Sequence, residues 1–335
     1  MTALFYFSTL ATAAAASMTI LVASMVLYVG NKGCQAYEQL TLHQDSGVRH
    51  CGADDNPNQA EYITYRHAKH YNMLMQQKND TQADRSTEPG DTADFGYRQV
   101  ARADKRKLVD GVFSSVAARY DIMNDMMSAG IHRLWKRHYI ATCGLRPGDR
   151  LLDLAGGTGD IARLAWQRLQ GNVSIVLADI NMEMIRVGRQ RLDDQGLVRG
   201  IEYLQANAEQ LPFADASFNV ITMAFGLRNV TDKAAALREM RRVLKPGGRA
   251  VVLEFSRVTQ PAAARAYDWY SFNVLPRLGQ LIAGDRDSYQ YLAESIRKHP
   301  DQNTLQQMFL DAGFAAADYR NLSAGMVAIH RGVSA

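Results

Sequence analysis

Cysteine is close to absent: Cys34, Cys51 and Cys143 are the three in 335 residues. An odd number at wide spacing gives neither a disulfide framework nor a zinc-ligand pattern, and it suits a reducing compartment. No His/Cys cluster with metal-ligand spacing appears either, so no metal is expected. A strong excess of one charge is missing too. Lys and Arg number 38 and Asp and Glu 34, a net charge of +4. A nucleic-acid binder carries a denser basic stripe, so no nucleic-acid partner is expected. No internal repeat of solenoid period is present.

One absence is local. From Met1 to Gly30 there is no charged side chain, and "TLATAAAASMTILVASMVLYVG" is long enough to cross a bilayer. The basic start of a cleavable signal and the arginines of a transit peptide are both lacking. Residues 1–30 therefore read as a hydrophobic, membrane-spanning or membrane-associated helix. The first cation after it, Lys32, places the bulk of the chain on the cytoplasmic face of the inner membrane by the positive-inside rule. Residues 31–93 are polar and without hydrophobic periodicity, as in "QQKNDTQADRSTEPGDTAD". They read as a disordered linker outside the folded domain. That domain is expected over residues 94–335.

What the domain does have is alternation. Apolar runs at "RLLDLA" (150–155), "VSIVLAD" (173–179), "IEYLQA" (201–206), "FNVITMA" (218–224) and "RAVVLEF" (249–255) suit strands buried on both faces. Helical periods lie between them: Ile161, Leu164, Ala165 and Leu169 share a face, and Gly171 can end that helix. Thr231 and Asp232 open another helix, expected to run to "RRVLKPGG", where Lys245 would complement its dipole and Pro246 would stop it. A closing hairpin is expected around Ala324-Gly325. The fold class is α/β, a doubly wound and mostly parallel sheet.

Ligands of such sheets bind at the carboxyl ends of the strands. The first strand runs into "AGGTGD" (155–160), three glycines in four positions after Ala155. Gly157, Gly159 and Ala162 satisfy the dinucleotide pattern G-x-G-x-x-G/A. A pyrophosphate docked on that turn would, however, face Asp160 in the first helical turn and Asp153 just before it. S-adenosylmethionine has no phosphates, carries two cationic groups and needs close backbone approach, so Asp153, Gly157 and Gly159 suit it better. Asp179, closing the second strand, is placed to accept the ribose hydroxyls, and Asn207 and Ala208 to flank the adenine. Asp153 as a loop cap and Asp160 as a helix-start charge are the plain structural alternatives.

The segments "VFSSVAARYDIMNDMMSAGIHRLWKR" (112–137), "LDLAGGTGD" (152–160), "FGLRNVTDK" (225–233), "RVLKPGGRAVVLEFS" (242–256), "YSFNVLPRLG" (270–279), "DSYQYLAESIRKHPDQ" (287–302) and "AGFAAADYRNLSAGMVAIHRG" (312–332) closely resemble the ubiquinone/menaquinone biosynthesis C-methyltransferase family. The resemblance covers about residues 94–333. "RYDIMND", "FGLRNVTDK" and "SIRKHPDQ" are its more particular parts; the glycine turn is shared by many methyltransferases.

It implies a class I S-adenosylmethionine-dependent methyltransferase acting on a ring carbon of a polyprenyl hydroquinone. The acceptor would be a 2-polyprenyl-6-methoxy-1,4-benzoquinol, a demethylmenaquinol, or both. It carries the family's cofactor positions onto Thr158, Asp179, Asn207 and Ala208. A further cofactor position, usually serine, is Ala224 here. On the acceptor side, Arg228 and Asn229 follow the fourth strand and are the best candidates to face the quinol oxygens. Arg228 would act as a fixed cation rather than a base. The resemblance also points to Tyr120 on the substrate side. His132, His138, His299 and His330 are candidates by residue type, and none is singled out as the base. Residues 257–300 read as a substrate-side insertion whose Tyr267, Trp269, Tyr270 and Phe272 either line a path for the tail at the membrane surface or fill helix interfaces. A homodimer or a quinone-biosynthesis complex is expected as partner. Competing readings are another lipid or phenolic acceptor, a nicotinamide oxidoreductase, and a noncatalytic scaffold.

Overall fold

The computed structural model describes residues 92–116, 120–128, 130–283 and 285–335. The hydrophobic segment 1–30 and nearly all of the linker 31–93 lie outside the described residues. None of the described helices is long and apolar enough to cross a membrane.

The first described element was not foreseen: a hairpin of β1 (Thr92–Phe95) and β2 (Arg98–Ala101) turning through Gly96 at φ 60°. Phe95 stacks on Tyr291 at 4.2 Å, which gives the hairpin a small apolar anchor. Three helices follow, α1 (Arg102–Val116), α2 (Tyr120–Ser128) and α3 (His132–Thr142). The chain then alternates: β3 (Arg150–Leu154), α4 (Asp160–Arg168), β4 (Ser174–Asp179), α5 (Met182–Asp193), β5 (Ile201–Gln205), β6 (Phe218–Ala224), α6 (Lys233–Val243) and β7 (Leu244–Phe255). The 257–300 stretch is helical, with α7 (Pro261–Trp269), a π-helical turn (Tyr270–Val274), α8 (Leu275–Ala283) and α9 (Arg286–Lys298). The chain then runs through α10 (Gln302–Asp311), β8 (Ala316–Leu322) and β9 (Val327–Val333).

The seven-stranded sheet has the order β5-β4-β3-β6-β7-β9-β8. Its first five strands are parallel; β9 runs antiparallel to both neighbours. Every predicted strand of the domain is present within a residue or two, except the start of β7. Leu244 already pairs with Phe218, so α6 stops at Val243 and Lys245–Gly248 belong to the strand. Lys245 reaches Asn219 Oδ1 at 3.1 Å instead of the helix end. Asp232 caps α6 by accepting from the Ala235 N–H, as the helix-start signal implies.

The core is a sandwich of apolar faces. Leu152, Leu154, Ile221 and Met223 from the central strands meet Leu237, Met240 and Phe309 from α6 and α10, all nearly inaccessible. Strands so covered on both faces read as unbroken hydrophobic runs, which is why the sequence discloses them. The chain runs β3, β4, β5 outward and then returns to β6 beside β3. That reversal opens a crevice at the carboxyl ends of β3 and β6.

Candidate active site

The glycine turn sits in that crevice. Ala155 and Gly157 both have φ 53°, and Gly159, at φ 81°, stands at the start of α4. Space is the second constraint. A Cβ on Gly156 would lie 2.7 Å from Leu177 Cγ, and one on Gly188 of α5 would lie 2.6 Å from the Gly157 carbonyl oxygen. Gly188, absent from the sequence-derived site, is thus the residue that lets α5 press against the turn. A glycine one helical turn past Met184 was the only sequence signal for it.

Three N–H groups of the turn are already engaged. Gly156 donates to the Ala178 carbonyl at 3.0 Å, Gly157 to Asp179 Oδ2 at 2.9 Å, and Gly159 to the Gly156 carbonyl at 2.9 Å. A pyrophosphate would need such donors free, so the dinucleotide reading loses its physical basis here.

The acids around the turn divide by role. Asp179 is buried on the cleft wall; its Oδ1 accepts the Asn181 N–H at 2.9 Å and its Oδ2 the Gly157 N–H. Burial raises its carboxyl to about 6 against the pull of the backbone N–H groups of Asn181, Gly157 and Ile180, and the carboxylate keeps acceptor capacity for a ligand. Asp153 behaves otherwise. Its Oδ2 accepts the Ala162 N–H at 3.1 Å and its Oδ1 the Thr222 hydroxyl at 2.9 Å, and burial pushes it up to about 7. It fastens α4 to β6 and does not line the cleft, so as a cofactor contact it is replaced by its alternative, the loop cap. Asp160 is likewise taken, by Lys136 at 2.7 Å. Burial would raise it, but Lys136, with Arg191 and Arg163 behind it, holds it near 2.

The cleft wall brings together Gly157, Asp179, Asn207 and Ala208. Thr158 and Gly159 shape the turn from behind it; Thr158 is buried. Ala224 faces the cleft with a methyl where a hydroxyl would otherwise stand. Leu154, Met184, Ala206, Met223 and Phe225 make its apolar lining. An apolar slot with one buried carboxylate at the second strand's end fits S-adenosylmethionine: Asp179 would hold the ribose hydroxyls and Asn207 and Ala208 the adenine.

The acceptor-side candidates separate. Asn229 lines the cleft, and its Oδ1 accepts the Tyr291 hydroxyl at 3.0 Å, which leaves the amide N–H groups as donors. Arg228 turns inward. Its Nη1 donates to Glu254 Oε1 at 2.9 Å and to the Phe225 carbonyl, and its backbone N–H donates to Glu254 Oε2 at 3.2 Å. Both side chains of that pair are 1% exposed. The expectation that Arg228 faces the quinol is corrected: it pins the loop after β6 to the end of β7, because a buried cation needs a buried anion beside it. Nothing in the sequence marked Glu254 as that anion. Tyr120 opens α2, and its side chain lies outside the described ones. His299 is buried, neither ring nitrogen meets a protein partner, and burial with Lys233 and Arg228 nearby holds it well below the ordinary imidazole range. Within the insertion Tyr267 and Tyr270 are buried, whereas Trp269 and Phe272 are exposed.

The sequence model of the ubiE/COQ5 methyltransferase family matches residues 99–334. The ubiquinone/menaquinone biosynthesis C-methyltransferase UbiE of Xanthomonas campestris pv. campestris is 61% identical over 241 residues, 72% of this chain and 95% of that protein. The protein of the same name from Idiomarina loihiensis is 57% identical over 242 residues, 72% of this chain and 96% of its own length. Among solved structures, a SAM-dependent methyltransferase from Aquifex aeolicus covers 64% of this chain and 97% of its own, at 15% identity and a TM-score of 0.47. That likeness is too distant to add to the strand order.

Proposed function

This chain belongs to the ubiE/COQ5 methyltransferase family, and on that premise we propose how its residues divide the work. It is an S-adenosylmethionine-dependent C-methyltransferase of ubiquinone/menaquinone biosynthesis. The observation that carries the site reading is Asp179: a buried carboxylate on the cleft wall that already fixes the glycine turn and still has acceptor capacity.

When bound, S-adenosylmethionine supplies a methyl group on a cationic sulfur. The chain's own contribution is to place a quinol ring carbon in line with that methyl and to favour the ionised hydroxyl, which makes the adjacent carbon nucleophilic. Asn229 is the donor for that oxygen. Tyr291 holds its Oδ1, so the amide N–H groups point to where phenolate charge develops. Arg228 acts at one remove, fixing the Asn229 backbone through Glu254. The ring proton lost on rearomatisation has Asp110 and Glu209 along the cleft to receive it, directly or through water.

The acceptor is a polyprenyl benzoquinol, a demethylmenaquinol, or both, met at a membrane surface on the cytoplasmic side. Tyr97 and Phe272 stack at 6.1 Å and are exposed, as is Trp269 at 63%, and exposed aromatics of this kind sit among lipid headgroups. The N-terminal hydrophobic segment would add an anchor. The test uses the full chain with methyl-labelled S-adenosylmethionine and chemically reduced demethylated benzoquinol or naphthoquinol, with ring methylation followed by mass. Labelled product names the acceptor. No product from either quinol, with cofactor still bound, would reject the quinol reading in favour of another acceptor or a scaffold.

A further inference from the structure

Helix α1 lies along the cleft, and Arg102, Arg106, Val109, Asp110 and Phe113 contribute to its wall. It is tied to the site at two places. Near its start, buried Lys105 donates to the Val230 carbonyl at 3.3 Å, in the loop that carries Asn229. Near its end stands a single residue of the β4–α5 turn. The Asn181 side-chain amide donates to Asp110 Oδ1 at 2.7 Å, to the Asp110 carbonyl at 3.3 Å and to the Ser114 hydroxyl at 2.8 Å.

Asn181 is 3% exposed, and each of its polar groups has a different task. Its backbone N–H holds Asp179 Oδ1. Its Oδ1 accepts the Met184 N–H at 2.9 Å and so caps α5. Only the side-chain amide hydrogens reach α1. The acid assigned to the ribose and the helix that walls the cleft therefore share one rigid link, and the bond to the Asp110 carboxylate is of the stronger, charge-assisted kind.

We propose that Asn181 is a positioning residue that seats α1 along the bound cofactor, making the seating of α1 and the occupancy of the cleft one equilibrium. The proposal rests on the cofactor reading above. Any ligand that orders Asp179 from the cleft side stiffens the Asn181 backbone, and a stiffer Asn181 holds α1 better. By reciprocity a seated α1 raises the affinity for the ligand.

The test is hydrogen exchange by mass spectrometry on the full chain, with and without S-adenosylhomocysteine, alongside calorimetric affinity. In the unaltered protein the ligand should slow exchange over both 155–160 and 102–116. Asn181→Asp keeps the α5 cap, since Asp is an equally good capping residue. It replaces the donor with an oxygen facing the Asp110 carboxylate. The ligand should then still protect 155–160 but no longer 102–116, its affinity should fall at least about tenfold, in line with one lost charge-assisted bond, and Tm should fall with it, because a buried carboxylate is left facing another. Adding Asp110→Asn reverses donor and acceptor, and should restore the α1 protection and most of the affinity. Unchanged α1 protection in Asn181→Asp, or a double variant no better than the single, overturns the proposal. Failure of the unaltered protein to bind S-adenosylhomocysteine would instead overturn the cofactor reading.

Discussion

The two ends of the cleft are built on opposite plans. At the β4 end, Asp179 satisfies itself on backbone N–H groups and keeps acceptor capacity for a ligand. At the β6–β7 end, Arg228 and Glu254 pair with each other and turn away from the cleft, leaving Asn229 as the donor that lines it. A charged side chain near a site is not thereby a ligand group. What decides is whether it faces the cleft or an oppositely charged partner inside the protein.

The sharpest way to break that contrast is Arg228→Ala. If the pair is structural, the variant strands a buried Glu254 and loses about 3–5 kcal/mol of stability, read as a lower denaturation midpoint. Arg228→Ala/Glu254→Gln should recover part of it. A normally stable Arg228→Ala that has lost only turnover would return Arg228 to the substrate. Next in size, Asp179→Ala should cost at least about a hundredfold and up to about ten-thousandfold in S-adenosylhomocysteine affinity, two hydrogen bonds to a charged group at about 1.5–3 kcal/mol each, with the fold retained. The ribose hydroxyls need the ionised carboxylate as acceptor. In the unaltered protein, affinity should therefore hold above pH 6 and weaken as pH falls below about 6; a flat profile would contradict the assignment.

Gly188→Ala should follow, at about 1–3 kcal/mol for the overpacked contact, because its new methyl meets the Gly157 carbonyl. Stability and cofactor affinity should drop together, and a neutral substitution would show that the turn yields. The smallest effect belongs to Tyr291→Phe, which removes the hydroxyl that orients Asn229. The quinol KM should rise about fivefold, the worth of one neutral hydrogen bond of about 1 kcal/mol, with cofactor affinity untouched. A change in cofactor affinity instead would place Asn229 at the other end of the cleft.

The same contrast marks where sequence reading succeeds. The strands and the turn were legible because sheet burial writes continuous apolar runs, and Asp179, Asn207 and Ala208 were placed on the cleft because they stand at or just past strand ends. Asp153 and Asp160 misled because a carboxylate's partner lies far along the chain: Thr222 and Lys136 are 69 and 24 residues away. Arg228 misled for the same reason, its anion being 26 residues on. Asn181 and Gly188 passed unnoticed because a cap and a helical glycine look ordinary until their neighbours are known. The β1–β2 hairpin was missed because it owes its place to Phe95 packing on Tyr291, a contact across most of the domain.

One arrangement in the sheet bears on how the protein is made. β9, the last described strand, is not at the sheet's edge; it sits between β7 and β8 and pairs with both along its whole length. On the ribosome, β7 emerges well before the strand that joins it to β8. Until β9 arrives, the flank of β7 bearing Val251–Phe255 is an open edge directly beside the loop that carries Asn229. Vectorial synthesis therefore leaves the acceptor end of the cleft as the last part to set. A nascent chain stalled before Val327 would present that edge to chaperones, or to another unfinished copy of itself.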